Sequence, residues 1–398
     1  MYDLHLSEEQ LAIRDTVRDF VANEIAAIAI HPDRLEPFDP PLPVALIDKA
    51  SELGLRTLAL AEDRGGAGAD TLTCCLVAEE LAAGDVDVAS VLAQTASLGG
   101  LLFGRLMSAE QRDRFLPAFL EDNGYHLALA TREPTTDTAL GINYHRPASE
   151  APALETVAAA APGGGWVVDG IKTRVANAPV AKLFAVSVAT GSGSGLLLVP
   201  HDAPGLTVTE IDRDGGWYHG SCGEVTFTDC QVPAENLLSG DQSGDQADLS
   251  EISPINQAIN LGVARAAYAA AVDYGKLRVQ GGRPIIEHQA IGNKLAEVAI
   301  SLDVSRSIIW QAAWACDNPQ ARADGSLSAL PQSLVSQVAS AEMLHRAAKD
   351  AAECFGAMGV MRDMPLQKYI HDTRMFLHSG NGNTDAKLAI AEALAGYR

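Results

Sequence analysis

At 398 residues the chain exceeds what one simple core needs and suits two or three packed lobes. Hydrophobic residues make up 47% and charged residues 20%, the balance of an ordinary globular protein. A formal net charge of −22 argues against nucleic acid or an anionic membrane as partner, while leaving room for a local basic pocket that takes a phosphorylated ligand.

Residues 1–10 are polar and acidic, unlike the basic and apolar regions of a signal peptide. No apolar run is expected to reach the ~18–20 residues of a membrane helix. Cysteines at 74, 75, 222, 230, 316 and 354 show no zinc-ligand spacing, so buried free thiols are expected. Together these features predict a cytoplasmic protein.

The first third is helical in pattern. Ser7 and Gln10 form a capping box, in which hydroxyl and amide each satisfy an orphan backbone donor. Ile13, Val17, Phe20, Val21 and Ile25 then recur at three- and four-residue steps, giving one apolar stripe. Gly65, Gly66 and Gly68 break the pattern, and the almost wholly apolar helix predicted over 71–83 belongs at the centre. A second capping box, Ser108 with Gln111, precedes Phe115, Leu116 and Phe119.

From about residue 125 short apolar runs alternate with Gly, Pro, Asp and Thr, which predicts an antiparallel β lobe ending near Leu238. Asp169-Gly170, following Trp166-Val167-Val168, is a hairpin-turn signal. After a polar connection over 241–248, helical periodicity resumes near Ile252. Alanine-rich stretches at 264–272 and 339–352 predict long, closely packed helices, with a loop over 319–331. The expected domains are 1–124 (helical), 125–240 (β) and 241–398 (helical bundle).

Several local signatures lie in this order. They include Ala61-Glu62-Asp63-Arg64-Gly65-Gly66, Thr131-Arg132-Glu133-Pro134, Asp169-Gly170-Ile171-Lys172 and Val232-Pro233-Ala234-Glu235-Asn236. In the bundle come Tyr274 through Arg278 to Ile285, then Glu287-His288-Gln289, Gly356-Ala357-Met358-Gly359, Met364-Pro365 and His371-Asp372-Thr373-Arg374. In register along the whole chain, these resemble the acyl-CoA dehydrogenase family. The resemblance implies an α+β fold with an N-terminal helical domain, a middle antiparallel β-barrel-like domain and a C-terminal four-helix bundle. Fold alone does not fix function.

The resemblance further implies FAD held between β lobe and bundle, with an acyl thioester against the flavin. In the family a carboxylate takes the proton α to the thioester, the β hydrogen leaves as hydride to the flavin, and hydrogen bonds stabilise the enolate. The usual base is a Glu just after the Arg-Asp segment. Counting from Asp372 puts Gly380 there, and residues 373–384 contain no carboxylate. A minority of the family carries its base on the first bundle helix, where counting back from Gly262 gives Ile252 with Glu251 beside it. Adjacent helix positions differ by about 100°, so a neighbour is not an equivalent. Glu251 is therefore either a relocated base or a solvated carboxylate at a helix start, and Asp385 reads as the latter.

For the cofactor, Arg278 matches the arginine offered to the flavin pyrophosphate of a neighbouring subunit, Gln289 a second polar contact, and Thr131 and Thr138 flavin-side hydroxyls. Arg174 replaces a flavin-flanking tryptophan and Ala176 a threonine beside the ring. Gly281, Glu353 and Ala357 stand for a Phe, a Gln and a Gly. Arg174 either pairs with Asp169 or Asp212 within the β lobe or meets an anionic ligand. His371 and His378 are expected to be structural.

Four readings follow: an FAD-dependent dehydrogenase of acyl-CoA or acyl-carrier-protein thioesters with a relocated base; a non-catalytic subunit of a heteromer whose related partner supplies the base; a family member performing β-elimination; and a cofactor-free scaffold. The enzyme readings imply a homodimer, homotetramer or heteromer, and an electron-transferring acceptor. The small residues Ser379-Gly380-Asn381-Gly382 leave space where a Glu would stand, which favours a bulky or branched thioester.

Overall fold

The computed structural model describes residues 5–31, 41–135, 153–211, 219–238, 254–378 and 382–396. Both capping boxes form. Ser7 opens α1 (Glu8–Phe20) and Ser108 opens α5 (Ala109–Glu121), each with its Gln returning the bond. Between them lie α2 (Val44–Glu52), α3 (Thr71–Gly84) and α4 (Val86–Leu101). Asp70 and Asp85 accept from the first-turn amides of α3 and α4. Helix α3 is buried almost all round, as its composition predicts. The stretch Val86–Leu106 is long and apolar enough to cross a membrane, contrary to the reading of the bare sequence, and 67% of its most apolar window is buried in the protein.

The middle lobe contains β1 (His126–Ala130), β2 (Val157–Ala160), β3 (Trp166–Ala176), β4 (Ala181–Thr190), β5 (Gly193–Pro200), β6 (Leu206–Glu210) and β7 (Cys222–Val232). The sheet runs β1-β4-β2-β3-β7-β6, with β5 on β4. It is mixed, not purely antiparallel: β1 pairs with β4 in parallel, and so does β2 at Val157 and Ala189. Strand β4 is buried on both faces. Leu183 and Ala185 join Phe103, Phe115 and Phe119 under the helices, while Phe184, Val186 and Val188 join Val168, Val225 and Phe227. That explains its apolar run from Leu183 to Val188, which only Ser187 interrupts.

Asp169-Gly170 is not a turn. It lies inside β3 at a register shift against β7, and the β2–β3 connection runs through Gly163, Gly164 and Gly165 instead. A Cβ on Gly170 would meet Thr156 Cα at 2.6 Å, so glycine is required for close approach. Asp169 accepts from the Asp229 amide at 2.9 Å.

The last third packs α6 (Pro254–Leu277), α7 (Gln289–Asp317), α8 (Gln332–Glu353), α9 (Leu366–Met375) and α10 (Asn383–Ala395). Between α7 and α8 the expected loop holds one short helical turn, Gln320–Ala323. The core of these helices is continuous with that of α1 to α4. Five cysteines are buried free thiols as expected, whereas Cys316 is exposed.

Helix α6 crosses α3 at Gly262, where a Cβ would stand 2.2 Å from the Glu79 carbonyl oxygen and 2.9 Å from Ala82 Cβ. Gly262→Ala gains about 1 kcal/mol of helix propensity but must prise the helices apart. We expect a net loss of about 2 kcal/mol, read as a lowered urea midpoint. An unchanged midpoint would show that the crossing yields.

Beside this crossing, Glu80 accepts from Arg18 (2.7 Å) and Arg265 (2.6 Å), and Glu79 from Arg306 (2.6 Å). The cluster joins α1, α3, α6 and α7. Burial alone would raise the Glu80 carboxyl, but the bonds from Arg265 and Arg18 outweigh it and hold it below its ordinary value. A depressed carboxylate contributes stability above its unfolded pKa and loses it as pH falls through the folded one. Glu80→Gln should therefore cost about 2 kcal/mol at pH 7. The gap from the unaltered protein should close in thermal melts taken stepwise below about pH 4; a constant gap would refute the linkage.

Candidate functional site

Two groups of the residues singled out in the sequence come together, one in the β lobe and one in the bundle. In the lobe, the segment after β1 lies along the bulge of β3, where the Thr173 amide donates to the Arg132 carbonyl at 3.0 Å. Glu133 and Lys172, both 0% exposed, form an ion pair at 2.7 Å. Glu133 also accepts from the Glu155 and Thr156 amides at 2.8 and 2.9 Å, and Lys172 donates to Ser187 Oγ at 2.9 Å. This knot fixes Thr131, half-buried, beside the bulge. Arg174 is exposed there with φ +50, a left-handed conformation costly for a non-glycine, and Ala176 is exposed on the same strand.

In the bundle, a recess of about 660 Å³ opens where α6 ends. Its wall includes Arg278, Gly281, His288, Glu353, Phe355 and Ala357. A two-residue hairpin shapes one side: Gly281 (φ +60) and Gly282 (φ +83) join Val279–Gln280 to Arg283–Pro284. That backbone is why glycine stands at 281. His288 clamps the hairpin, with Nε2 donating to the Gln280 carbonyl at 2.9 Å and Nδ1 facing Arg283 at 3.4 Å. Tyr274 stacks on Phe355 at 4.2 Å between ring centres. The Arg278 backbone is held by bonds to Tyr274 and Ile285, while its guanidinium is exposed and meets no acid among the described residues. A cation that meets no acid among the described residues, an aromatic floor and a recess of this size fit an anionic, ring-bearing ligand. Gln289, exposed, is the first residue of α7 and follows the wall residue His288.

A third cluster joins all three parts of the chain. The Gly220 amide donates to Asp87 Oδ1 at 2.9 Å, His219 Nε2 donates to the Asp372 carbonyl at 3.0 Å, and Lys368 binds Asp372 Oδ2 at 2.6 Å. Burial lowers the pKa of His219. His219 also packs on Phe376, 5.1 Å between ring centres.

Family models for the N-terminal, middle and C-terminal domains of acyl-CoA dehydrogenases match residues 7–123, 145–230 and 254–394. The benzylmalonyl-CoA dehydrogenase of Aromatoleum aromaticum is 33% identical, over 99% of this chain and 100% of that protein. The chain belongs to the acyl-CoA dehydrogenase family. An acyl-CoA dehydrogenase of Bacillus subtilis is 30% identical over 99% of this chain and all of its own length. The butyryl-CoA dehydrogenase structure from Megasphaera elsdenii superposes with a TM-score of 0.82, covering 99% of this chain and 100% of that one at 24% identity, a likeness of fold.

As a member of this family the chain is an acyl-CoA dehydrogenase-type enzyme. Gly380, Glu251, Thr138 and Asp212 lie outside the described residues. His378 ends a short turn after α9, and His371 Nδ1 stands 3.8 Å from Asp372. Sequence reasoning missed Lys294, which donates to Glu353 at 2.6 Å and to Asp350 at 3.4 Å, and it missed the His219 junction. Nothing in the spacing of a lysine on one helix and acids on another announces such a pairing. A small, mostly apolar void of about 20 Å³ between α3, α4 and the start of α6 has room for no more than about one water and is a packing defect.

Proposed function

We propose that the chain is an FAD-dependent oxidoreductase acting on the Cα–Cβ bond of a bulky acyl thioester. The observation that carries the reading is the recess around Arg278, in a chain matched along its length by acyl-CoA dehydrogenase models. Arg278 and Gln289 would hold the anionic part of FAD belonging to a second copy or a related subunit. Thr131, Thr138, Arg174 and Ala176 would lie on the β-lobe side of a flavin site, and Ala357 on the wall beside Arg278. FAD supplies the electron sink. This chain's residues orient it, offset its charge and exclude water.

The base is Glu251 or a carboxylate of a partner subunit, since residues 373–384 supply none. A ring-bearing thioester agrees with the relative named for benzylmalonyl-CoA and with the small side chains at 379–382. The decisive measurement is the visible spectrum of the protein purified alone, then with added FAD. Bound-flavin bands that bleach anaerobically with an aryl-substituted acyl-CoA support the reading. A colourless protein that ignores FAD refutes a self-sufficient flavin enzyme and points to a partner-dependent subunit or a scaffold. Glu251→Gln should keep the colour and lose the bleaching; retained bleaching would move the base to another carboxylate of this chain or remove α-proton abstraction from the chemistry.

A further inference from the structure

The recess has one feature at odds with an anionic ligand. Glu353, the last residue of α8, lines it, and a carboxylate facing a diphosphate is repulsive. The structure supplies the compensation. Lys294, one turn into α7, reaches across to Glu353 Oε2 at 2.6 Å and touches Asp350 Oδ1 at 3.4 Å. Lys349 also raises the positive potential at Glu353. Glu353 and Asp350 against Lys294 and Lys349 sum to no net charge. Among the described residues of the recess wall, Arg278 is then the uncompensated charge, in a protein whose formal net charge is −22.

We propose that Lys294 is a cofactor-positioning residue: it neutralises Glu353 so that the recess accepts the diphosphate of a flavin dinucleotide, and turns the Glu353 carboxylate into a fixed acceptor for a ligand N–H or O–H. The proposal rests on the FAD reading above. The pair is poorly suited to a structural role. The Glu353 side chain is 60% exposed, and exposed ion pairs contribute little to folding. Lys294 should therefore matter to ligand affinity and hardly at all to stability.

A double-mutant cycle separates these roles. Apoprotein stripped of flavin is titrated with FAD, following the quenching of flavin fluorescence, for the unaltered chain, Lys294→Met, Glu353→Gln and the double variant. Thermal melts run alongside. Lys294→Met should bind FAD about five- to tenfold more weakly, with a larger deficit at low salt. Glu353→Gln should bind as tightly as the unaltered chain or tighter, and the double variant should match Glu353→Gln. Melting temperatures should stay together. Unchanged affinity in Lys294→Met, or a double variant as weak as Lys294→Met, overturns the compensation while leaving the FAD reading intact. Lys294→Gln takes the place of the Met variant if that one melts early. An unaltered chain that takes up no FAD removes the cofactor reading and this proposal with it.

Discussion

Lys172→Met should be among the most damaging single substitutions in the β lobe, costing about 3–5 kcal/mol. The ammonium lies at 0% exposure, bound to Glu133 and Ser187 Oγ. Burial lowers the Lys172 pKa, and the bond its ammonium donates to Glu133 opposes that. Burial likewise would raise Glu133, but bonds from Lys172 and from the Glu155 and Thr156 amides hold it down. Removing the lysine strands a buried carboxylate. Glu133→Ala should cost more, because it strands the ammonium and two backbone amides together. Glu133→Gln/Lys172→Met, with both charges gone, should recover a large part of the loss. Urea unfolding followed by far-ultraviolet circular dichroism measures all three. A double variant no better than Lys172→Met would mean that packing volume, not the stranded charge, sets the cost.

Arg278→Ala should weaken FAD binding about 10- to 100-fold, the worth of charge-assisted hydrogen bonds to a phosphate oxygen, with no change in melting temperature. The guanidinium is exposed and meets no acid among the described residues, so folding does not depend on it. Lys in its place keeps the charge but loses the planar fork, and should fall between the two. Apoprotein titration with FAD is again the measurement. Arg278→Ala with unaltered affinity would remove this recess from the flavin site.

What the sequence shows of this fold is what is decided locally. Ser7–Gln10 and Ser108–Gln111 close within one turn, so composition and spacing determine them. The apolar wrap of α3 likewise declares burial without naming its partners. Asp169-Gly170 misleads for the converse reason. The same dipeptide serves a two-residue turn and a close approach inside a strand, and only Thr156 and β7 decide between them. The parallel pairings of β4 are hidden because its partner β1 lies far off along the chain and each strand is apolar either way. In the site, the sequence singles out Arg278 as a match to the family pattern and Gly281, Glu353 and Ala357 as departures from it, and the fold gathers all four on one wall. The electrostatic balance of that wall depends on Lys294, whose pairing with Glu353 spans 59 residues and follows no periodicity.

The parallel seam on β4 also bears on how the chain reaches its fold. Antiparallel neighbours such as β4 and β5 zip from a tight turn at little entropic cost. His126–Ala130 has no such turn to β4; everything between the two strands must be looped out before Leu127 meets Leu183. Closure of that long loop precedes any reward from pairing, so the seam is a late and slow step in assembly. Until it forms, the edge of β4 stays open to other chains. During refolding, aggregation should thus be governed by the lifetime of that open edge, and tethering β1 to β4 would shorten it without altering the finished sheet.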